Sequence, residues 1–120
     1  MVPARLKILP PEEFAVIAAR IDDGTADNSD VSAATKHLLA VLVDSAPGNS
    51  VEVRVPPYAA VQAIAGGRHT RGTPPAVVEM DAPTWIAIAR GRLTWAEAFG
   101  EGRIHASGER SDLSPLLPLA

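Results

Sequence analysis

A short segment in the middle of the chain, Val51–Val55 with the sequence V-E-V-R-V, alternates valine with charged residues. Alternation of apolar and polar residues at period two is typical of a strand with one buried face. Pro56 and Pro57 follow at once, and proline cannot donate a hydrogen bond to a central ladder. The pattern therefore predicts a half-buried strand that ends at the proline pair.

Helical patterns fill the chain before this strand. Over residues 10–22, apolar side chains recur at i, i+3, i+4 and i+7, and two glutamates lie in the first turn. A second helix is predicted over residues 30–46, with Ser29 or Asp30 as its cap. The apolar face of this second helix is wide, which indicates that more than one neighbour covers it.

Strands and short helices are expected to follow the proline pair. Strands are predicted at residues 58–65, 75–80 and 103–107, and a helix capped by Asp81 is predicted at residues 82–90. The sequence T-W-A-E that begins at Thr94 is a capping box and indicates the start of another short helix. Residues 111–113 are predicted either to add a final strand or to start a turn.

The length and this order of elements bound the fold. A chain of 120 residues fits one domain, residues 1–120, and buries roughly two-thirds of the surface of its unfolded form. Hydrophobic residues make up 47% and the net charge is −3, which argues against disorder. A group of strands with helices gathered on one face predicts the α+β class.

Charge and hydropathy limit the partners. The 14 Asp and Glu outnumber the 11 Lys and Arg, whereas nucleic-acid-binding proteins cluster basic residues. No apolar run approaches the roughly 20 residues of a membrane helix, and the first residues lack the pattern of a secretory signal. We therefore expect a cytoplasmic protein that neither binds nucleic acid nor spans a membrane.

The sequence offers little catalytic chemistry. It contains no cysteine, which excludes disulfides, zinc–thiolate sites and cysteine nucleophiles, and it shows no metal-ligand spacing or phosphate-binding loop. The one notable polar group is the loop with His69, Thr70 and Arg71, which is interpreted either as a plain surface loop or as a contact for a ligand head group or a partner. We predict no enzymatic activity, no cofactor and no metal.

The second half of the chain resembles a known family. Residues 81–113 place a small-residue–glycine step at Ala89 to Gly91, a capped short helix, an Ala98-Phe99 pair and a glycine turn before a strand. This combination looks like the signature region of sterol-carrier-protein-2-like domains. The stretches V-E-V-R-V-P-P-Y and R-H-T-R-G-T-P-P-A-V-V-E resemble the bacterial, largely actinobacterial, branch. The similarity covers residues 51–119.

The resemblance implies a fold and a function. The fold is a curved, mostly antiparallel sheet of about five strands that helices cover on one face. Between sheet and helices, the family typically keeps an apolar tunnel for sterols, fatty acids or acyl-CoA. The resemblance therefore implies a non-enzymatic lipid-binding or carrier protein.

Large apolar residues of the second half are the candidates for lining such a pocket. They are Trp85, Ile88, Trp95, Phe99, Leu113, Leu116 and Leu117. The alternative is that these side chains simply fill the core, in which case the domain is a protein-interaction or structural module. The apolar tail would then pair with a second copy, and transient membrane contact is also open. A third interpretation is an accessory domain of a small-molecule enzyme.

Overall fold

The computed structural model describes residues 6–66, 76–108 and 111–119. In chain order, the elements are α1 (Pro11–Asp23), α2 (Asn28–Ser45), β1 (Val51–Val55), β2 (Ala59–Ala63), β3 (Ala76–Met80), α3 (Ala82–Ala89), α4 (Trp95–Gly100), β4 (Ile104–Ser107) and a 3₁₀ turn (Ser114–Leu116). The predicted α+β class is confirmed. The loop that holds His69, Thr70 and Arg71 lies outside the described residues.

The helix α2 begins two residues earlier than its predicted start. Asp27 has an extended backbone, and its carboxylate accepts a hydrogen bond from the Asp30 N–H at 2.8 Å. The Asp30 carboxylate in turn accepts the Asp27 N–H at 3.3 Å, which completes a capping box. The predicted cap at Ser29 or Asp30 is therefore wrong. Asp30 is the third helical residue, and its side chain bonds the backbone of the true cap, Asp27, three positions earlier.

The strands form one mixed sheet in the order β2-β1-β3-β4. The pairs β1–β2 and β3–β4 are antiparallel, whereas β1–β3 is parallel. The mostly antiparallel arrangement is confirmed, but the residues that the structure describes form four strands rather than about five. Residues 111–113 start a turn, because the Asp112 carboxylate accepts the Ser114 N–H and so begins the 3₁₀ turn.

One face of the sheet is buried and the other faces solvent. Val51, Val53 and Val55 of β1 are fully buried, whereas Arg54 is exposed. The register places the buried residues of the other strands on the same face, where they join one apolar cluster with helical side chains such as Leu39. The helices therefore cover the valine face, as the alternation in β1 predicts.

The turn between α2 and β1 passes very close to the end of β2. Gly48 has φ +149°, and a Cβ built there would lie 2.2 Å from the carbonyl carbon and oxygen of Ile64. The Ile64 N–H donates to the Ala46 carbonyl at 2.7 Å, and the Ser50 hydroxyl donates to the Ile64 carbonyl at 2.6 Å. Glycine is required here because any side chain would meet backbone.

Candidate functional site

A groove of about 300 Å³ lies between α3 and the region where α1 passes into α2. One wall comes from the end of α1, the connector and the start of α2, with the residues Ile21, Asp22, Gly24, Ala26 and Val31. The other wall comes from α3 and the residues just after it, with Pro83, Ile86, Ala87, Arg90 and Arg92. Among the described residues the walls are mainly apolar, and the charged side chains are those of Asp22, Arg90 and Arg92.

Local sequence explains the wall formed by α1 and α2. Gly24 adopts a left-handed conformation at φ +81° and ends α1, as glycine commonly does at this position. The N–H groups of Thr25 and Ala26 then donate to the Arg20 carbonyl at 2.9 and 3.0 Å. The chain turns sharply before Asp27 caps α2, and Gly24 and Ala26 of this turn line the groove.

The spacing on α3 explains the opposite wall. Pro83, Ile86, Ala87 and Arg90 lie at i, i+3, i+4 and i+7, which places them on one stripe of the helix. Trp85 belongs to a different stripe that faces the core. One short helix thus supplies both a core anchor and a groove wall.

Three charged side chains of the lining meet at the end of the groove next to the C-terminus of α3, and we call this end the mouth of the groove. The Arg90 guanidinium donates to both oxygens of the Asp22 carboxylate, at 2.9 and 3.0 Å. Arg92 donates to the same carboxylate at 3.4 Å. The hydrogen bonds from Arg90 hold the pKa of Asp22 below its ordinary value, so the carboxylate is ionised at neutral pH. Bidentate pairing of this kind fixes geometry as well as charge.

Three of the sequence-predicted pocket residues lie in the packed interior. Trp85 and Leu113 are 0% exposed and Ile88 is 1% exposed. The indole N–H of Trp85 donates to the Thr35 carbonyl in α2 at 3.3 Å, across the middle of the helical layer. None of these three side chains lines the groove between α1 and α3.

The other four predicted residues lie nearer the surface. Trp95, Leu116 and Leu117 are half-buried and pack against the apolar cluster that contains Trp85. Phe99 is 54% exposed on α4. The tail beyond the 3₁₀ turn is held to α3, since the Leu119 N–H donates to the Ala89 carbonyl at 2.9 Å. The core therefore gathers six of the seven predicted residues and leaves Phe99 outside.

Sequence reasoning missed the groove residues. The stripe from Pro83 to Arg90 was readable from spacing alone, because a proline, two apolar residues and an arginine follow the helical period. The carboxylate that Arg90 binds lies 68 positions earlier in the chain, and no local pattern connects Asp22 to it.

Two further observations concern sites that the described residues do not form. Residues 6–66, 76–108 and 111–119 contain no cluster of three or more His, Asp or Glu side chains arranged to hold a metal ion. Within the same ranges, every helix is too short or too polar to cross a bilayer.

Comparison with known proteins identifies the family. A family model described as a bacterial SCP ortholog matches residues 27–119, from the cap of α2 to the end of the tail. A search of curated proteins found no match. The matched segment contains the whole sheet, α2, α3 and α4, whereas α1 and its share of the groove lie before it. The fold and this match together show that the chain belongs to a bacterial sterol-carrier-protein-like family.

Proposed function

We propose that the protein is a non-enzymatic carrier that holds an apolar small molecule in the groove between α1 and α3. The groove itself carries the proposal: it is concave and mainly apolar, and its few polar groups converge at the mouth. Small-molecule sites have this composition and volumes of roughly 300–1,000 Å³. The groove, at about 300 Å³, lies at the small end of that range and favours a slender ligand.

The energetics support binding without a covalent or metal anchor. Each methylene removed from water contributes about 0.8 kcal/mol, so ten methylenes give roughly 8 kcal/mol before the cost of association. Association costs several kcal/mol, which reduces that gain. Millimolar affinity corresponds to about 4 kcal/mol net, which ten methylenes can reach, whereas micromolar affinity, at about 8 kcal/mol net, requires more methylenes or added polar contacts.

The test is binding of a neutral apolar probe to protein stripped of lipid. N-phenyl-1-naphthylamine fluoresces when it enters an apolar site, and n-dodecanol should displace it. Ala87 lies on the groove wall, so Ala87→Phe is expected to weaken probe binding at least tenfold by filling the groove. Ala96 is exposed on α4, and Ala96→Phe is the matched control that should leave binding within twofold. Equal affinities in the two variants would place the probe elsewhere.

The sequence-predicted residues define a second location for the same function. Trp95, Phe99 and Leu117 lie around α4 and the tail, and a ligand bound there would need the tail to move. A Phe99→Ser variant tests this location, because the side chain is exposed and its loss leaves the core intact. Reduced probe binding in this variant, with unchanged binding in Ala87→Phe, would favour α4 and the tail over the groove.

A different function follows if no small molecule binds. The complete burial of Trp85, Ile88 and Leu113 favours a module with a filled core that acts through its surface. In that case purified protein should carry no lipid in native mass spectrometry. The tail would then pair with a second copy, and a concentration-dependent dimer in sedimentation velocity is the expected result.

A further inference from the structure

We propose that the groove selects a single-chain amphiphile with an anionic head group, and that Arg92, beside Arg90 and Asp22, is the residue that recognises the head. This inference rests on the proposed carrier function and adds the chemical class of the ligand and the residue that selects it. The carrier function by itself requires only an apolar groove. The head-group selection requires the charges at its mouth.

The charge count at the mouth favours an anion. Two guanidinium groups share one carboxylate in the part of the chain that the structure describes, which leaves one net positive charge. Arg90 takes both oxygens of Asp22 and its side chain is only 13% exposed. Arg92 reaches one oxygen at 3.4 Å, and its side chain is 61% exposed. Arg92 can therefore turn toward a second anion without breaking the Arg90 pair.

The backbone fixes the position from which Arg92 acts. Gly91 adopts φ +75°, and the Arg92 N–H returns to donate to the Ala87 carbonyl at 2.8 Å. This turn brings Arg92 back beside the groove wall that Ala87 and Arg90 form. A guanidinium is planar and matches the paired oxygens of a carboxylate or a phosphate, so either head group suits it.

The volume of the groove, about 300 Å³, favours one chain over a bulky ring system. The stripe from Pro83 to Arg90 spans seven residues of rise, or about 10 Å along the α3 axis. The stripe begins at Pro83 and ends at Arg90, so a tail laid along it from Pro83 places its polar end at the arginines. Ile21 and Val31 cover the tail from the opposite wall. Ile21 and Asp22 precede the segment that the family model matches, so part of this site belongs to α1.

The experiment compares head groups on one tail. Dodecanoate, dodecyl phosphate, n-dodecanol and dodecyltrimethylammonium are titrated calorimetrically into lipid-free protein, below their micellar concentrations, at neutral pH and about 0.15 M salt. We expect dodecanoate and dodecyl phosphate to bind at least tenfold more tightly than dodecanol, and the cationic amphiphile to bind more weakly than dodecanol. Inorganic phosphate alone should not bind measurably.

Two arginine variants locate the selection. Arg92→Gln should remove most of the advantage of dodecanoate and leave dodecanol binding within twofold. Arg54 lies on the solvent-facing side of β1, paired with Glu52, and Arg54→Gln is the control that should change neither affinity. Thermal denaturation of both variants shows that each remains folded at the assay temperature.

The outcomes separate the two proposals. If none of the four amphiphiles binds, the carrier function fails. If dodecanol binds as tightly as dodecanoate, or if Arg92→Gln keeps the full preference, the carrier function stands and head-group selection is overturned. Binding of inorganic phosphate as tightly as dodecyl phosphate would show a site for a free anion, and the proposal that the groove selects an amphiphile would then be overturned. A preference for the acid that only Arg92→Gln abolishes supports the inference.

Discussion

Replacement of Trp85 by alanine measures whether the centre of the protein is packed or hollow. The indole is 0% exposed, belongs to the apolar cluster that includes residues of α2, the sheet and the tail, and donates its N–H to the Thr35 carbonyl. Removal of a packed Trp or Phe side chain costs about 3–5 kcal/mol, since it combines lost transfer energy with a new cavity. We therefore expect Trp85→Ala to lower the free energy of unfolding by about 3–5 kcal/mol.

The size of the protein converts this cost into a melting temperature. At about 2.1 cal/mol/K for each of its 120 residues, the entropy of unfolding is about 0.25 kcal/mol/K. A loss of 3–5 kcal/mol then corresponds to a decrease in Tm of about 12–20 °C. A domain of this length has a total stability of roughly 6–18 kcal/mol, so the variant should remain folded at low temperature.

Urea denaturation followed by far-UV circular dichroism gives the free energy and the m-value together. Trp85→Phe keeps most of the volume and should lose about 1–2 kcal/mol, which includes the hydrogen bond to Thr35. Trp95 is half-buried, and Trp95→Ala is the control with an expected loss below that of Trp85→Ala. A loss under about 1 kcal/mol for Trp85→Ala at constant m would refute the packed core and would indicate that the indole borders an open cavity.

Three further predictions concern stability. In urea denaturation, Gly48→Ala should lower the free energy of unfolding by about 1–3 kcal/mol more than Gly24→Ala. Both glycines have positive φ, but of the two only Gly48 has backbone atoms within 4 Å of the added Cβ. Equal losses in the two variants would contradict the close approach. Asp27→Ala should lose about 1 kcal/mol by removing the α2 cap, and an unchanged urea midpoint would show that the capping box contributes nothing. Burial lowers the pKa of His37 below 6.5, and its Nδ1 accepts the Leu9 N–H at 2.9 Å. The unfolded chain therefore binds the proton more readily than the folded protein. The free energy of unfolding should be at its full value above pH 6.5 and should decline as pH falls from 6.5 toward the lower folded pKa. His37→Asn should flatten this decline, and an unchanged dependence of the free energy of unfolding on pH would exclude His37 as its source.

Local sequence was sufficient for the elements whose signals lie within a few residues of one another. The valine alternation in β1, the capping box at Thr94 and the Asp81 cap each depend on neighbours in the chain, and each is found where the sequence predicts it. The cap of α2 was misplaced because Asp27, Ser29 and Asp30 all have side chains that can cap a helix. Only the extended backbone of Asp27 selects among them.

The parallel pairing of β1 with β3 shows a different kind of limit. Both strands alternate buried residues with more exposed ones, and either direction of pairing buries the same face of the sheet. The direction depends on the path of the chain between them, which the pattern within the strands does not record. Residues 111–113 likewise start a turn and add no strand, and the Asp112 carboxylate accepts the Ser114 N–H there.

The sequence by itself determined which residues prefer water and which prefer a core, and therefore the α+β class and most of the elements. It also identified the family, because the residues that shape the turns after α3 are close together in the chain. Only the tertiary structure decided where an open groove remains, because a groove exists where two distant surfaces fail to close on each other. Asp22 and Arg90 meet there across 68 positions, and that meeting is a consequence of helix packing rather than of any local pattern.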